Sequence, residues 1–130
     1  MILPYVYDAG ALIAIDNDDR RMWARHKLAV DEGRDIHVPA VVVAQAWRDG
    51  SRQVRLGQVL AGCRVDPVGL DASKAVGVLC GRAGTSDVVD TTVVVMAVAL
   101  RAIIWTSDPR DITALAEMSA TKPPPVVRAV

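Results

Sequence analysis

Short apolar runs alternate along this chain with longer segments in which apolar residues recur at helical spacing. The runs predict strands at Ile2–Tyr7, Ile36–Val38, Arg64–Val68 and Ile103–Thr106, and an edge strand at Val126–Val130. The segments between them predict helices at Ala11–Ile15, Arg20–Asp31, Ala40–Arg48, Arg52–Leu60, Asp71 or Ser73 to Gly81, Ser86–Arg101 and Arg110–Met118. This alternation predicts one α/β domain over residues 1–130, with α/β/α layers and a mostly parallel sheet.

Composition agrees with a packed domain and narrows its class. The chain has 130 residues, of which 52% are hydrophobic, and it contains no Phe, so Val, Ala, Leu and Ile must form the core. The longest apolar run, around Val93–Leu100, is too short to cross a bilayer, and the N-terminus lacks a basic signal-peptide region. We therefore expect a cytoplasmic protein without a membrane partner. Cys63 and Cys80 are too few for a disulfide framework or a zinc site.

The formal charge is zero, but the charges are unevenly distributed along the chain. Residues 20–64 contain nine basic and four acidic residues, whereas residues 84–118 contain two basic and five acidic residues. Such asymmetry is compatible with a polyanionic partner and does not require one.

Four aspartates are predicted to meet at one edge of the sheet. Asp8 follows the first predicted strand, and Asp108 follows the strand Ile103–Thr106. Asp87 and Asp90 begin the helix that precedes that strand. In a parallel sheet the carboxyl ends of the strands share one edge, which is where functional sites form. The topology thus predicts a carboxylate cluster built from three distant parts of the sequence.

Each of these aspartates also has a purely structural interpretation. Asp87, Asp90 and Asp108 stand at helix starts, where a carboxylate caps the helix or complements its dipole, and Asp8 can cap a turn. Clustered carboxylates repel one another, however, and a hard divalent cation relieves that repulsion through oxygen ligands. Such a cation can activate water and stabilise the charge that develops in phosphodiester cleavage. The absence of a histidine beside the aspartates argues against a zinc hydrolase.

Three stretches carry a resemblance to a known family: YVYDAGALIAID, VPAVVVAQAWRDGSRQ and DVVDTTVVVMAVALRAIIWTSDPRDITAL. Their order and spacing resemble those of PIN domains, specifically the VapC toxins of toxin–antitoxin modules, across nearly the whole chain. The resemblance implies a PIN-like fold and an endoribonuclease that uses Mg²⁺ or Mn²⁺, with tRNA or rRNA as substrate. It also implies a homodimer and a cognate VapB-type antitoxin that blocks the site.

The resemblance assigns roles to individual residues. Asp8, Asp90 and Asp108 match the acids of the family, Asp87 is a further ligand, and Thr106 or Ser107 supplies a hydroxyl beside Asp108. One departure concerns the helix after the second strand, where Gln45 occupies the place of the usual glutamate. An amide brings no charge, so the second metal position is in doubt unless Asp87 supplies the missing carboxylate.

Arginines provide the candidate substrate contacts. Gln45, Arg48, Arg52 and Arg55 would share a face if one helix ran through them, although Gly50 and Ser51 are expected to break it. Arg48, followed by Arg52, would guide RNA phosphates, and solvated helix faces are the alternative. Two rival functions remain: a PIN-like module that binds RNA or antitoxin without turnover, and a phosphoacceptor receiver-type domain. The receiver is disfavoured because Asp8 has no acidic neighbour on its strand.

Overall fold

Twelve elements of secondary structure follow one another in the computed structural model, which describes residues 2–130. The strands are β1 (Tyr5–Tyr7), β2 (Ile36–Pro39), β3 (Arg64–Asp66), β4 (Ile103–Thr106) and β5 (Val127–Ala129). The helices are α1 (Ala9–Asp16), α2 (Arg20–Asp31), α3 (Ala40–Ala46), α4 (Val54–Gly62), α5 (Leu70–Ala83), α6 (Val88–Leu100) and α7 (Pro109–Met118). The predicted alternation of strands and helices is confirmed.

The five strands form one sheet in the order β3-β2-β1-β4-β5, and every neighbouring pair is parallel. Strand order runs outward in one direction from β1 to β3 and in the other from β4 to β5. The topological switch point therefore lies between β1 and β4. In parallel sheets a crevice forms at this point, beyond the carboxyl ends of the strands. Register places Tyr7 beside Trp105, so the residues that follow these strands emerge side by side.

The helices fall into two groups that pack among themselves, one containing α1–α4 and the other α5–α7. Parallel strands need crossovers that cover the faces of the sheet, and the resulting three layers are the predicted α/β/α architecture. The central strands are buried: Val6, Tyr7, Val38 and Ile104 are fully inaccessible, as expected for valine- and isoleucine-rich strands covered on both faces.

Three elements end or begin at residues other than the predicted ones. Prolines explain the differences in β1 and β3, and the turn between α3 and α4 explains the early end of α3. β1 begins only after Pro4, and β3 ends before Pro67, because proline cannot donate a ladder hydrogen bond. The predicted break at Gly50 and Ser51 is confirmed, and it is wider than expected because α3 already ends at Ala46.

Two helices, α5 and α6, begin at residues other than the predicted ones. Ser86 does not cap α6: the Thr85 hydroxyl accepts the N–H of Asp87, and Asp87 is itself the N-cap. α5 begins at Leu70 after Gly69, so Ser73 already lies inside the helix, where its N–H bonds to the Gly69 carbonyl. Pro109 occupies the first turn of α7 behind Asp108, so this helix begins one residue before its predicted start at Arg110.

Within residues 2–130, no single helix has the length and apolarity needed to span a membrane. α5 and α6 reach that length and apolarity only as a pair bent by 113°.

Candidate active site

Asp8 and Thr106 lie side by side at the switch point between β1 and β4. Asp8 is 5% exposed and caps α1, because its Oδ1 accepts the N–H of Ala11 at 2.9 Å. Its carboxylate also accepts the Thr106 hydroxyl and the N–H groups of Gly10 and Ser107. Burial raises the pKa of Asp8, and these hydrogen bonds oppose the rise. The site thus holds a desolvated carboxylate in a fixed orientation.

The Thr106 side chain connects two of the predicted acids. It is fully buried, and its Oγ1 accepts the N–H of Asp108 at 2.8 Å while its hydroxyl proton goes to Asp8. Its donor and one of its two acceptor positions are therefore used within the protein. The predicted substrate-binding role of Thr106 stays a prediction, and the contacts present are those of a group that positions Asp8 and Asp108.

A glycine allows the segment after β4 to approach α1. A Cβ atom at Gly10 would overlap the Oγ and Cβ atoms of Ser107 and would lie 3.0 Å from its backbone nitrogen. Ser107 is exposed and packs over the first turn of α1. The close approach explains the small residue after Asp8 and Ala9, and it brings the Ser107 N–H to the Asp8 carboxylate.

Asp87 and Asp108 are exposed N-caps at the same edge. Asp87 Oδ1 accepts the N–H of Asp90 at 3.0 Å, and Asp108 Oδ1 accepts the N–H of Asp111 at 3.4 Å. The structural interpretation is thus correct for Asp8, Asp87 and Asp108. It does not exclude a functional role, because a capping carboxylate keeps free lone pairs for another ligand.

Asp90 makes no capping bond and is the surplus carboxylate of the cluster. Its pKa is raised to about 6, first by burial, then by the charge of Asp87 and a hydrogen bond between these two carboxyl groups, and finally by Asp8 and Asp108. Each of the other three predicted aspartates therefore acts electrostatically on Asp90. The structure brings together the residues that the topology predicted.

Asp111 joins the same group, although the sequence interpretation did not include it. It lies one turn after Asp108, and Asp108 raises its pKa through a hydrogen bond and then through charge repulsion, with Asp87 adding further repulsion. A depression of ≈ 300 Å³ contains Asp111 together with Asp87, Asp90 and Thr85. The three-residue spacing that Asp108–Asp111 shares with Asp87–Asp90 was the signal that could have identified it.

The donor chemistry of the cluster suits a hard divalent cation. Burial and three neighbouring aspartates raise the pKa of Asp90, and a cation would relieve that repulsion, since oxygen donors are the ligands that Mg²⁺ and Mn²⁺ prefer. No group of three or more His, Cys, Asp or Glu side chains in residues 2–130 is arranged so that it could hold a metal as it stands. Mg²⁺ commonly takes only one or two carboxylates and keeps several waters, so the cluster still fits such an ion.

Gln45, Arg48 and Arg52 lie along a different depression. Gln45 is exposed on α3, and the depression also contains Ile13 and Asp16 from α1. The Arg48 guanidinium donates to the carbonyls of Ala44 and Trp47 at the end of α3, at 3.0 and 2.7 Å. Arg52 lies in the turn before α4 and faces Asp49 at 3.8 Å. Their predicted catalytic and phosphate-guiding roles stay predictions.

The buried side chain of Gln53 lines that second depression, and the sequence did not indicate a role for it. It is 7% exposed, and its Oε1 accepts the N–H groups of Arg48 and Asp49 at 2.7 and 2.9 Å. Its Nε2 donates to Ala46 O at 2.8 Å and to Asp16 Oδ2 at 3.1 Å. The amide therefore fixes the turn between α3 and α4 against α1, a contact that no sequence pattern indicates.

Solved structures share this fold, although the sequence matches no protein-family model and no curated protein. A chain of VapBC2 from Rickettsia felis, solved with a promoter DNA fragment, superposes with a TM-score of 0.72 at 13% identity, covering 98% of this chain and 99% of that one. A chain of DNA-bound VapBC from Salmonella typhimurium superposes with a TM-score of 0.68 at 15% identity, and the match covers 98% of both chains. A chain of FitAcB from Neisseria gonorrhoeae superposes with a TM-score of 0.66 at 15% identity, and the match covers 95% of both chains. The chain therefore has the three-layer PIN-like fold of the proteins in VapBC and FitAB complexes.

Proposed function

We propose that this chain is a metal-dependent endoribonuclease, the toxin of a VapBC-type toxin–antitoxin system. The observation that carries the proposal is the position of Asp90 among Asp8, Asp87 and Asp108, whose charges all raise its pKa, at the switch point between β1 and β4. Ligands bind at such switch points, and the fold is the one found in VapBC complexes. The negative charge of the cluster favours binding of a cation. A bound cation would in turn attract the negatively charged phosphodiester of a nucleic acid.

Asp8 and Asp90 are the residues best placed to hold Mg²⁺ or Mn²⁺, with Asp108 and Asp87 beside them. When bound, the ion would lower the pKa of a water and stabilise the charge that develops at phosphorus. The chain contributes orientation: Thr106 and three backbone N–H groups fix the Asp8 carboxylate. Asp108 is held by its own bonds to the end of β4 and the start of α7, since its N–H donates to Thr106 and its carboxylate caps the helix.

The proposal is tested by incubating the purified chain with tRNA and rRNA in Mg²⁺, in Mn²⁺ or in EDTA. Wild-type protein is expected to cleave RNA only with a divalent ion. Asp8→Asn and Asp90→Asn are expected to lower the rate by about 100-fold or more, the usual scale for loss of one reacting group. Cleavage of equal rate by the wild type and Asp8→Asn would refute the role of this site.

Asp19→Asn is the matched control for these substitutions. Asp19 caps α2 as Asp87 caps α6, since its Oδ1 accepts the N–H of Met22 at 2.9 Å, and it lies outside the cluster. The control loses one carboxylate and keeps a capping side chain, so its cleavage rate should equal that of the wild type. A control variant as slow as Asp8→Asn would assign the loss to folding.

A cognate VapB-type antitoxin is the proposed protein partner, because the solved complexes of this fold are VapBC and FitAB assemblies. We expect a small antitoxin-like reading frame immediately upstream of the gene. Co-expression with the product of that frame should restore growth to cells that the chain alone arrests. Growth arrest that persists when the product of the upstream frame is co-expressed and co-purifies with the chain would contradict the assignment.

A second function, binding without turnover, is favoured by the position of Gln45. Its amide is exposed and uncharged, and it lines a depression separate from the aspartates. This alternative predicts RNA or antitoxin binding that persists in EDTA, together with no cleavage in any divalent ion. RNA cleavage by the wild-type chain in Mg²⁺ or Mn²⁺ that EDTA abolishes would exclude this second function.

A further inference from the structure

The first turn of α2 carries two exposed arginines, Arg20 and Arg21, at the end where the helix dipole disfavours them. The amino end of a helix is partially positive, so it favours acidic residues and is destabilised by basic ones. No acidic residue occupies the first turn of α2, and the N-cap Asp19 accepts the N–H of Met22 at 2.9 Å. Helix stability therefore does not account for two cations at this position.

Neither arginine has an ionic partner within residues 2–130. Asp18, which precedes α2 by two residues, faces Arg55 of α4 at 3.9 Å instead. Other arginines of the same half of the chain also face carboxylates in ion pairs: Arg34, Arg52 and Arg64. The two cations at the start of α2 are thus available to an anion from outside the chain.

Contacts along α2 place its first turn at the edge of the sheet where the aspartates lie. Just after the helix, the Arg34 guanidinium donates to the Leu3 carbonyl at 2.6 Å, so α2 ends at the amino end of β1. Within the helix, His26 Nδ1 and the Tyr7 hydroxyl share a hydrogen bond of 2.9 Å, and Tyr7 is the last residue of β1. The helix begins six residues before His26, which at 1.5 Å per residue is about 9 Å further along, beyond the carboxyl end of β1 where Asp8 follows.

Strand β5 adds a third unpaired cation beside α2. Arg128 is exposed, has no ionic partner among residues 2–130, and is aligned with Trp105 of β4, so both side chains lie on the α2 side of the sheet. Arg25 fixes α2 there, since its guanidinium lies 4.7 Å from the Trp105 ring centroid and donates to the Ala129 carbonyl at 2.9 Å. The three unpaired cations form what we name the α2 basic surface: Arg20, Arg21 and Arg128.

The carboxylate cluster needs such cations beside it if it is to receive a nucleic acid. Four ionised aspartates carry four negative charges, and one divalent ion neutralises two of them, so the edge would still repel a phosphodiester backbone. Arginine contacts to backbone phosphates supply binding free energy that does not depend on sequence, and they position the strand. The α2 basic surface provides that charge at the same edge of the sheet.

We propose that Arg20 and Arg21 bind backbone phosphates of the RNA next to the scissile one, so that the strand crosses the start of α2 before it reaches Asp8. This inference rests on the proposed function and identifies where its substrate is held. Arg48 and Arg52 face carbonyls and a carboxylate of the chain itself, whereas the arginines of α2 have no ionic partner to leave.

Binding of a fluorescein-labelled single-stranded RNA oligonucleotide in EDTA, followed by fluorescence anisotropy, tests the inference in the absence of cleavage. Arg20→Gln/Arg21→Gln is expected to weaken binding by about tenfold or more at moderate salt. The slope of log K against log salt concentration should become shallower by about 1.4, because each phosphate contact with a single strand contributes about 0.7. The Tm of this variant should equal or exceed that of the wild type, since the substitutions remove cations from the positive end of a helix.

Arg101→Gln/Lys122→Gln is the matched control. Both residues are exposed, and they line a depression with Ile103 at the start of β4, at the opposite edge of the sheet. The control also loses two positive charges, and it should bind RNA as the wild type does. Equal binding by the two double variants, an equally large loss in the control, or a wild type that binds no RNA would each overturn the inference.

A parallel assay of RNA cleavage in Mg²⁺ separates this inference from the proposed function. Cleavage by Arg20→Gln/Arg21→Gln with the KM of the wild type would overturn the inference and leave the proposed function intact. A wild type that cleaves no RNA in any divalent ion, but whose RNA binding depends on Arg20 and Arg21, would contradict the proposed function and support the inference.

Discussion

Replacing Asp90 by asparagine should stabilise the protein at neutral pH while removing a carboxylate from the proposed site. The pKa of Asp90 stands at about 6 against an ordinary value of 3.8, first because of burial and then because of Asp87. At about 1.4 kcal/mol per unit, a shift of that size corresponds to a ceiling of about 3 kcal/mol. The side chain is half-exposed, so screening reduces the expected gain to about 1 kcal/mol.

The sign of this effect depends on pH. Because the folded pKa of Asp90 is raised, the folded state binds more protons than the unfolded chain between pH 4 and about 6, and stability falls as pH rises through that window. Above about pH 6 the full penalty is present, and below pH 4 it disappears. Asp90→Asn should therefore gain stability at pH 7.5 and gain almost none at pH 4.

The assay is thermal unfolding in EDTA at a series of pH values. A gain of about 1 kcal/mol corresponds to roughly 3–5 °C in Tm for a domain of this size. Asp19→Asn is the control, because it exchanges an acid for an amide at a helix cap outside the cluster. A lower Tm for Asp90→Asn at pH 7.5, or an equal gain at pH 4 and pH 7.5, would refute the electrostatic account.

Three further predictions concern the same edge of the sheet. Millimolar Mg²⁺ or Mn²⁺ at pH 7.5 should raise the Tm of the wild type, and isothermal titration calorimetry should show that Asp8→Asn binds the ion much more weakly. Thr106→Val should cost about 1–3 kcal/mol in urea unfolding, because it leaves the Asp108 N–H and the Asp8 carboxylate without the hydroxyl, whereas Thr106→Ser should cost far less. Gly10→Ala should cost about 1–3 kcal/mol because its Cβ overlaps Ser107, and Ser107→Gly in the same chain should recover most of that loss.

The sheet and the acid cluster could be predicted because both follow from local patterns. Valine-rich runs alternating with helical segments define parallel strands, and parallel strands carry the residues after them to one edge. Asp8 and Asp108 needed only that rule, and Asp90 followed because its helix begins at the same edge. The helix caps could not be assigned as well, since Thr85, Ser86 and Asp87 offer competing side chains within three residues.

Individual side-chain contacts, whether within one helix or between distant elements, were beyond the sequence patterns. Arg48 was expected to point toward a substrate, yet its guanidinium donates to two carbonyls at the end of its own helix. Gln53 falls within the predicted helix Arg52–Leu60, yet it stands before α4 and its amide donates to Asp16 of α1. The bond between Gln53 and Asp16 depends on how the start of α4 packs against α1, which periodicity does not determine.

The use of Asp8, Asp87 and Asp108 as helix caps has an evolutionary consequence. Asparagine caps a helix about as well as aspartate, and the codons of the two residues differ by one nucleotide. A single point mutation at any of these positions removes a negative charge and keeps the hydrogen bond that begins the helix. Proteins of this fold can therefore lose a carboxylate of the cluster by one point mutation and keep a stable fold that still binds its partners.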